Sequence, residues 1–266
     1  MRPSAEPSTA RVALVTGAAR GIGAAVVRQL AATGWRIVAV DSCADDPALP
    51  YPMASRADLD RVAAAGEVVP VVADVRDGAA LADAVRLAEE RFGGLDAAVA
   101  CAAVMAGGAP LWETTEAQWN ALHDVGVRGV FHLAAAAVPA LLRRPPPRTG
   151  RFVALASAAA HRGLWQLAAY NAAKHAVVGL IRGLATDLRG TGITATAVSP
   201  GSTDTPMLAA TAALYDLPDV GLFGEHHLTD RVLRPEEVAA AVCWLCEPGS
   251  SAVTGTVVHA DGGFTA

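Results

Sequence analysis

Lysine is almost absent from this 266-residue chain: of its 21 basic residues, all but Lys174 are arginine. Arginine replaces lysine on most surfaces at little cost, so the shortage itself needs no special cause. The one lysine kept marks a position where a compact ammonium does what a planar guanidinium cannot. Charge is scarce as well. Charged residues make 18% and the formal net charge is −5, which leaves no basic footprint for nucleic acid, while 53% apolar content excludes a disordered chain. Aromatics reach only 5%, so the apolar excess is small and aliphatic, mostly Ala and Val, which suits buried strands and close-packed helices. The four cysteines, at 43, 101, 243 and 246, show no secreted disulfide pattern. Cys243-Trp244-Leu245-Cys246 has CxxC spacing, but it closes an apolar helical stretch with no second ligand pair in sequence, so core packing is expected and no metal. The longest uncharged stretch near the middle, Ala97 to Trp112, is 16 residues, short of a spanning helix. Residues 1–10 carry Pro and Ser without an apolar run and are expected to form a loose tail, not a signal peptide. A soluble, cytoplasmic protein with no membrane partner is the expectation, with residues 11–266 forming one domain.

Short apolar runs alternate with amphipathic stretches from Val12 onward, the pattern of βαβ units and a parallel sheet. Strands are expected at Val12–Thr16, Arg36–Asp41, Val68–Asp74, Ala97–Cys101, Arg151–Ser157, Thr194–Ser199 and Val257–Ala260. They are continuously apolar, as strands covered on both faces should be. Helices are expected near Ile22–Thr33, Asp77–Arg91, Glu116–Leu142, Ala168–Arg189 and Pro235–Cys246, with Pro139 kinking or ending the third. Two segments break the alternation: an irregular insertion at 42–60 with Pro47, Pro50 and Pro52, and a lid at 206–231. Both follow carboxyl ends of strands, where open α/β sheets bind ligands.

After the first strand comes Thr16-Gly17-Ala18-Ala19-Arg20-Gly21-Ile22-Gly23, opening a helix. Such glycines allow a tight turn and close backbone approach, and set a pyrophosphate on the helix N-terminus. Asp41, 18 residues beyond Gly23, ends the next strand. A carboxylate there accepts hydrogen bonds from ribose hydroxyls and repels a 2′-phosphate, which favours NAD over NADP. Asp74 ends the third strand and could bond an adenine amine or simply cap the strand end.

Tyr170-Asn171-Ala172-Ala173-Lys174 opens a helical run, and the i,i+4 spacing puts Tyr170 and Lys174 on one face. A free phenol ionises near pH 10, so lowering it to about 7 needs roughly 4 kcal/mol. An ammonium about 4 Å away contributes about that much at an effective dielectric near 20, and a nicotinamide cation would add to it, so one lysine is nearly sufficient. Ser157, at the end of the fifth strand, could hydrogen-bond a substrate oxygen in the same cleft.

These residues, with Ser199-Pro200-Gly201, Thr205 and the terminal Asp261-Gly262-Gly263, resemble the short-chain dehydrogenase/reductase family over essentially Arg11 to Phe264. The resemblance implies a single-domain α/β fold, a Rossmann-type doubly wound parallel sheet of about seven strands with helices on both faces. It implies a homotetramer or dimer that interconverts a secondary alcohol and a ketone with NAD. By position, Ser157, Tyr170 and Lys174 are the catalytic residues, Tyr170 as acid/base. Cofactor contacts fall on Gly17, Arg20, Gly21, Ile22, Gly23, Asp41, Asp74, Val75, Ala102, Tyr170, Lys174, Pro200, Gly201, Thr203 and Thr205. The chain departs from the family at Ala100-Cys101-Ala102-Ala103, where Asn-Asn-Ala-Gly is usual, and at Gly126, where a helical Asn holds a kink and a proton-relay water.

The stretch from Asp41 through Pro50-Tyr51-Pro52-Met53-Ala54-Ser55 to Leu59 is similar to one in mycofactocin-associated dehydrogenases. There the added segment covers the cofactor, and a peptide-derived carrier reoxidises NAD in place; a surface insertion without consequence is the plain alternative. His161 and Arg162 are candidates for the substrate pocket. The lid residues Leu208, Leu214, Tyr215, Leu217, Leu222 and Phe223 suggest an apolar or cyclic alcohol. The competing reading, motivated by Gly126 and Ala100, is a dinucleotide-binding sensor or scaffold on a degenerate enzyme.

Overall fold

A computed structural model describes residues 10–266; residues 1–9, most of the expected tail, lie outside the described part. Seven parallel strands form one sheet in the order β3-β2-β1-β4-β5-β6-β7. The strands are β1 Val12–Thr16, β2 Arg36–Asp41, β3 Val68–Val72, β4 Ala97–Ala100, β5 Arg151–Leu155, β6 Thr194–Pro200 and β7 Val257–Ala260. The strand order reverses direction between β1 and β4, which places a crevice at their carboxyl ends.

The central strands are Val- and Ala-rich and buried along their whole length, because helices cover both faces. On one face lie α1 (Gly21–Ala32), α2 (Arg56–Ala63) and α8 (Pro235–Cys246), with Val26, Leu59 and Val242 in a shared core. On the other lie α3 (Gly78–Phe92), α5 (Gly129–Arg143) and α6 (Ala168–Asp187), meeting through Leu81, Leu133, Val177 and Ile181. Local signals explain the boundaries. Asp77 caps α3 by accepting from the Ala79 and Ala80 N–H groups, and Gly93 ends it at φ +85°. Cys246 is fully buried in the first core, and all four cysteines are unpaired.

Three expectations needed correction. The insertion is not irregular throughout: Ser55 and Asp58 form a reciprocal capping box that starts α2, leaving only 42–55 as loop. The lid holds a helix, α7 (Pro206–Leu214), capped by Thr205 and started by Pro206, followed by a 3₁₀ turn at Val220–His226. The long helix does not end at Pro139 but runs on to Arg143. Its break lies earlier, where a π turn at Asp124–Arg128 separates α4 (Glu116–His123) from α5. The whole run is long and apolar enough to cross a membrane by composition. Here its apolar stripe, including Val130, Leu133, Ala137 and Leu141, is a core face against α3 and the sheet.

Candidate active site

One cavity of about 890 Å³ runs along the carboxyl ends of the strands from the glycine-rich turn to the lid. At its first end the glycines are sterically required. Gly17 and Gly21 have φ of +63° and +55°, and a Cβ on Gly17 would fall 2.7 Å from Ala102 Cα. A Cβ on Gly23 would overlap the Gly17 carbonyl oxygen, so α1 packs directly on the turn. The N-terminus of α1 has no side-chain cap and no acidic residue in its first turn, so its N–H groups face the cavity free for an anionic group. Asp41 Oδ2 accepts from the Ala19 N–H at 3.0 Å and Oδ1 from the Cys43 N–H at 3.3 Å, which fixes the carboxylate at the cavity wall. Ala102 N donates to Thr16 Oγ1 at 3.3 Å, closing the β1–β4 crevice behind it. The turn, the bare helix end and the carboxylate fit a dinucleotide.

Asp74 and Val75 line the same wall, but Asp74 is already engaged. Its oxygens accept from the Arg76 backbone N–H and guanidinium at 2.6–2.9 Å. That guanidinium also reaches Asp46 in the insertion at 2.7 Å. Arg20 is likewise turned to the insertion, donating to the Pro52 carbonyl at 2.7 Å and lying 3.5 Å from Met53 Sδ. Tyr51 Oη accepts from the Met105 N–H at 2.8 Å across the cleft. Residues 42–55 thus form a strap over the cavity, seated on Val104, Ala121 and Ala169. Tyr51, Asp46 and Arg76 were invisible to sequence reasoning as partners, because nothing local marks a pairing between segments this far apart.

At the other end, α6 brings Tyr170 and Lys174 together, with Lys174 Nζ 5.7 Å from the Tyr170 ring centre. The ammonium is buried and donates to the Leu155 carbonyl at 2.9 Å, on the last residue of β5. Ser157 follows that strand end; its Oγ accepts from the Ala159 N–H at 3.1 Å. Burial pushes the Tyr170 phenol up to about 12, and a hydrogen bond from Ser157 opposes this only in part. Burial also brings Lys174 down to about 8, with Cys101 acting against the fall. The Lys174 ammonium and a bound nicotinamide cation are the positive charges that would oppose the rise at Tyr170.

Cys101 stands on the cavity floor beside Lys174, and burial raises its thiol strongly. Gly126 lies inside the π turn, where an added Cβ would meet nothing within 4 Å. Pro200, Gly201, Thr203 and Thr205 line the cavity between the two ends; Thr205 Cγ2 lies 3.1 Å from where a Gly21 Cβ would stand. Beyond Tyr170 the walls are mostly apolar, with Leu164, Trp165, Leu167, Leu208, Tyr215 and Phe223, and Thr211, Glu225 and His226 add polar groups on the lid side. Tyr215 Oη donates to the Trp165 carbonyl at 2.6 Å, and their rings stack. Arg162 reaches the cavity mouth, whereas His161 turns away to Ser199 Oγ at 2.8 Å. Among the described residues no cluster of His, Cys, Asp or Glu has the grouping of a metal site.

This arrangement is that of a dinucleotide-dependent oxidoreductase on a Rossmann-type sheet. The family described as Enoyl-(Acyl carrier protein) reductase matches residues 17–265. An uncharacterized oxidoreductase of Mycobacterium tuberculosis is 35% identical over 97% of both chains. Cis-4-hydroxycyclohexanecarboxylate dehydrogenase of Sinomonas cyclohexanicum is 36% identical, covering 96% of this chain and 97% of its own. The crystal structure of carveol dehydrogenase from Mycobacterium avium in complex with NAD superposes with a TM-score of 0.90 at 31% identity, over 97% of this chain and 98% of that one. The chain belongs to the short-chain dehydrogenase/reductase family.

Proposed function

We propose that the protein is an NAD-dependent dehydrogenase that interconverts an apolar or alicyclic secondary alcohol and its ketone. The observation that carries this reading is the meeting of Ser157, Tyr170 and Lys174 with the glycine cradle and Asp41 in one cavity. NAD is the cofactor: Asp41 favours a ribose with free hydroxyls, and relatives of the same length include a structure bound to NAD. When bound, NAD would supply the acceptor for the hydride that leaves the carbinol carbon. Tyr170 Oη takes the hydroxyl proton, and Ser157 Oγ holds the substrate oxygen in line with it. Because burial holds the phenol near 12, proton uptake depends on positive charge gathered beside it, of which Lys174 supplies one part. The apolar walls from Leu164 to Phe223 suit a carbocyclic substrate, as do relatives named for cyclohexane-type alcohols.

The same reading extends to cofactor retention, assembly and compartment. The strap pinned by Arg76 and Tyr51 supports tightly held NAD, reoxidised by an external carrier of the mycofactocin type instead of by exchange. Exposed Trp112, Trp119 and Phe131, around α4 and α5, support a homo-oligomer, tetramer or dimer, through that face. Four unpaired thiols suit the cytoplasm.

The test is nicotinamide absorbance at 340 nm with a panel of cyclic secondary alcohols and their ketones. Wild type should turn over at least one of them. Tyr170→Phe should lose turnover by 10³-fold or so while still holding NAD. A wild type that binds NAD but never transfers hydride returns the argument to a dinucleotide sensor.

A further inference from the structure

His227 closes the 3₁₀ turn of the lid, yet it is 5% exposed, the most deeply buried histidine in the described chain. Both ring nitrogens are engaged. Nε2 lies 3.1 Å from the Ser202 backbone nitrogen and Nδ1 lies 2.7 Å from the Arg231 carbonyl oxygen. An amide N–H can only donate and a carbonyl can only accept, so the network assigns the proton to Nδ1 and the lone pair to Nε2. The ring therefore accepts from Ser202 and donates to Arg231 at once.

Two glycines make room for it. A Cβ on Gly201 would stand 2.9 Å from Nε2, and one on Gly262 would stand 3.2 Å from Nδ1. Phe264 meets the ring edge-on at 5.6 Å. Three segments thus converge on one imidazole: the lid, the 200–205 loop after β6, and the 261–264 turn after β7. The 200–205 loop is the one that brings Thr203 and Thr205 into the cavity. Its far side is tied to the same chain end, since Leu233 N donates to the Ser202 carbonyl and Asp204 N to the Leu233 carbonyl. The loop beside the cofactor and the cover over the substrate are therefore joined through His227.

We propose that His227 is a positioning residue that couples the lid to the cofactor loop, so that the seating of one sets the other. It touches neither reacting atom. Its function is to hold Ser202, and through it the Thr203–Thr205 backbone, in register with the closed lid. This rests on the dehydrogenase reading only for its kinetic arm; the binding arm stands on the cavity alone.

The test compares His227→Leu, which keeps bulk but removes both hydrogen bonds, with His227→Gln, whose amide offers one donor and one acceptor. NADH affinity by nucleotide fluorescence should weaken about ten-fold in the Leu variant, as when part of the worth of the two lost hydrogen bonds is felt at the binding loop. The Gln variant should recover most of it. KM for alcohol and kcat should shift together in the Leu variant, as expected when lid and loop no longer seat as a unit. Equal NADH affinity in all three proteins would overturn the proposal. So would a Gln variant as impaired as Leu. If the Leu variant does not fold, ¹⁵N shifts of the wild-type ring decide: a pyridine-type Nε2 is expected, and the opposite tautomer sinks the coupling. A wild type that binds NADH but oxidises no alcohol would fail the functional reading while leaving the affinity and tautomer arms decisive.

Discussion

Tyr51 Oη accepts a hydrogen bond from the backbone N–H of Met105, 54 residues downstream and across the cavity. Together with the Arg76 guanidinium between Asp46 and Asp74, it fastens residues 42–55 over the dinucleotide crevice. The expected consequence is slow cofactor exchange. NAD should accompany the purified protein, as mass spectrometry of the released nucleotide would show. A Tyr51→Phe, Arg76→Ala double variant should release it about ten-fold faster, each lost contact being worth about 1 kcal/mol or less at this partly exposed rim. Wild-type protein that purifies empty and exchanges NAD freely would show that the strap does not retain it.

Tyr170 and Lys174 make a prediction with a definite sign. In cofactor-free protein the Tyr170 phenol titrates at about 12, above its unfolded value, and Lys174 at about 8, below its own. Between about 8 and the ordinary lysine range the unfolded chain binds more protons than the folded one through this group. Stability from Lys174 therefore rises with pH across that window, and the burial cost is present in full below it. Above about 10 the tyrosine acts oppositely, because the unfolded phenol ionises first. Denaturant midpoints measured from pH 7 to 10 should rise more in wild type than in Lys174→Met. Ultraviolet difference titration of wild type against Tyr170→Phe should place the phenol near 12, and added NAD should draw it down.

Asp41 should govern cofactor choice. Asp41→Asn keeps a carbonyl for the Ala19 N–H but removes the charge at the cavity wall, where the proposed cofactor's ribose would lie. Affinity for NADH should fall about ten-fold while that for NADPH rises, on the scale of one charge-assisted hydrogen bond. Parallel fluorescence titrations with the two nucleotides check it, and unchanged discrimination would exclude the carboxylate as the selector.

Two glycines three residues apart, Gly126 in the π turn and Gly129 opening α5, should respond oppositely to the same change. A Cβ on Gly126 meets open space, so Gly126→Ala should stabilise by up to about 1 kcal/mol through helix propensity. A Cβ on Gly129 would stand 2.7 Å from Val75 Cγ2, so Gly129→Ala should destabilise by about 1–3 kcal/mol through overpacking. Thermal or denaturant unfolding distinguishes them. Gly126→Asn should likewise fold, and its effect on turnover reports whether the backbone there already serves the proton path.

The central strands were legible because helices cover both their faces, so β1, β4 and β5 read as near-continuous apolar runs. The site was legible where chemistry is local: a turn of glycines, a strand-end acid, a tyrosine one helical turn before a lysine. Two helices were missed although their signals were present. Ser55 and Asp58 have capping-box spacing, and Thr205 precedes Pro206 as cap and first-turn residue, but the surrounding prolines and glycines made both segments read as loop. The π turn had no sequence mark beyond Gly126. For Tyr170, spacing gives the lysine neighbour, whereas the desolvation that raises its phenol depends on everything packed around it. Contacts such as Arg76 with Asp46, or His227 with Ser202, join segments whose order in the chain says nothing of their meeting.

Burial of Lys174 has a practical corollary. With every other basic side chain an arginine, the folded protein presents no lysine amine to solvent. Succinimide esters, acetyl donors and amine-directed crosslinkers should therefore find no side chain to modify until the cavity opens, which makes labelling of Lys174 itself, read by peptide mass spectrometry, a gauge of that opening.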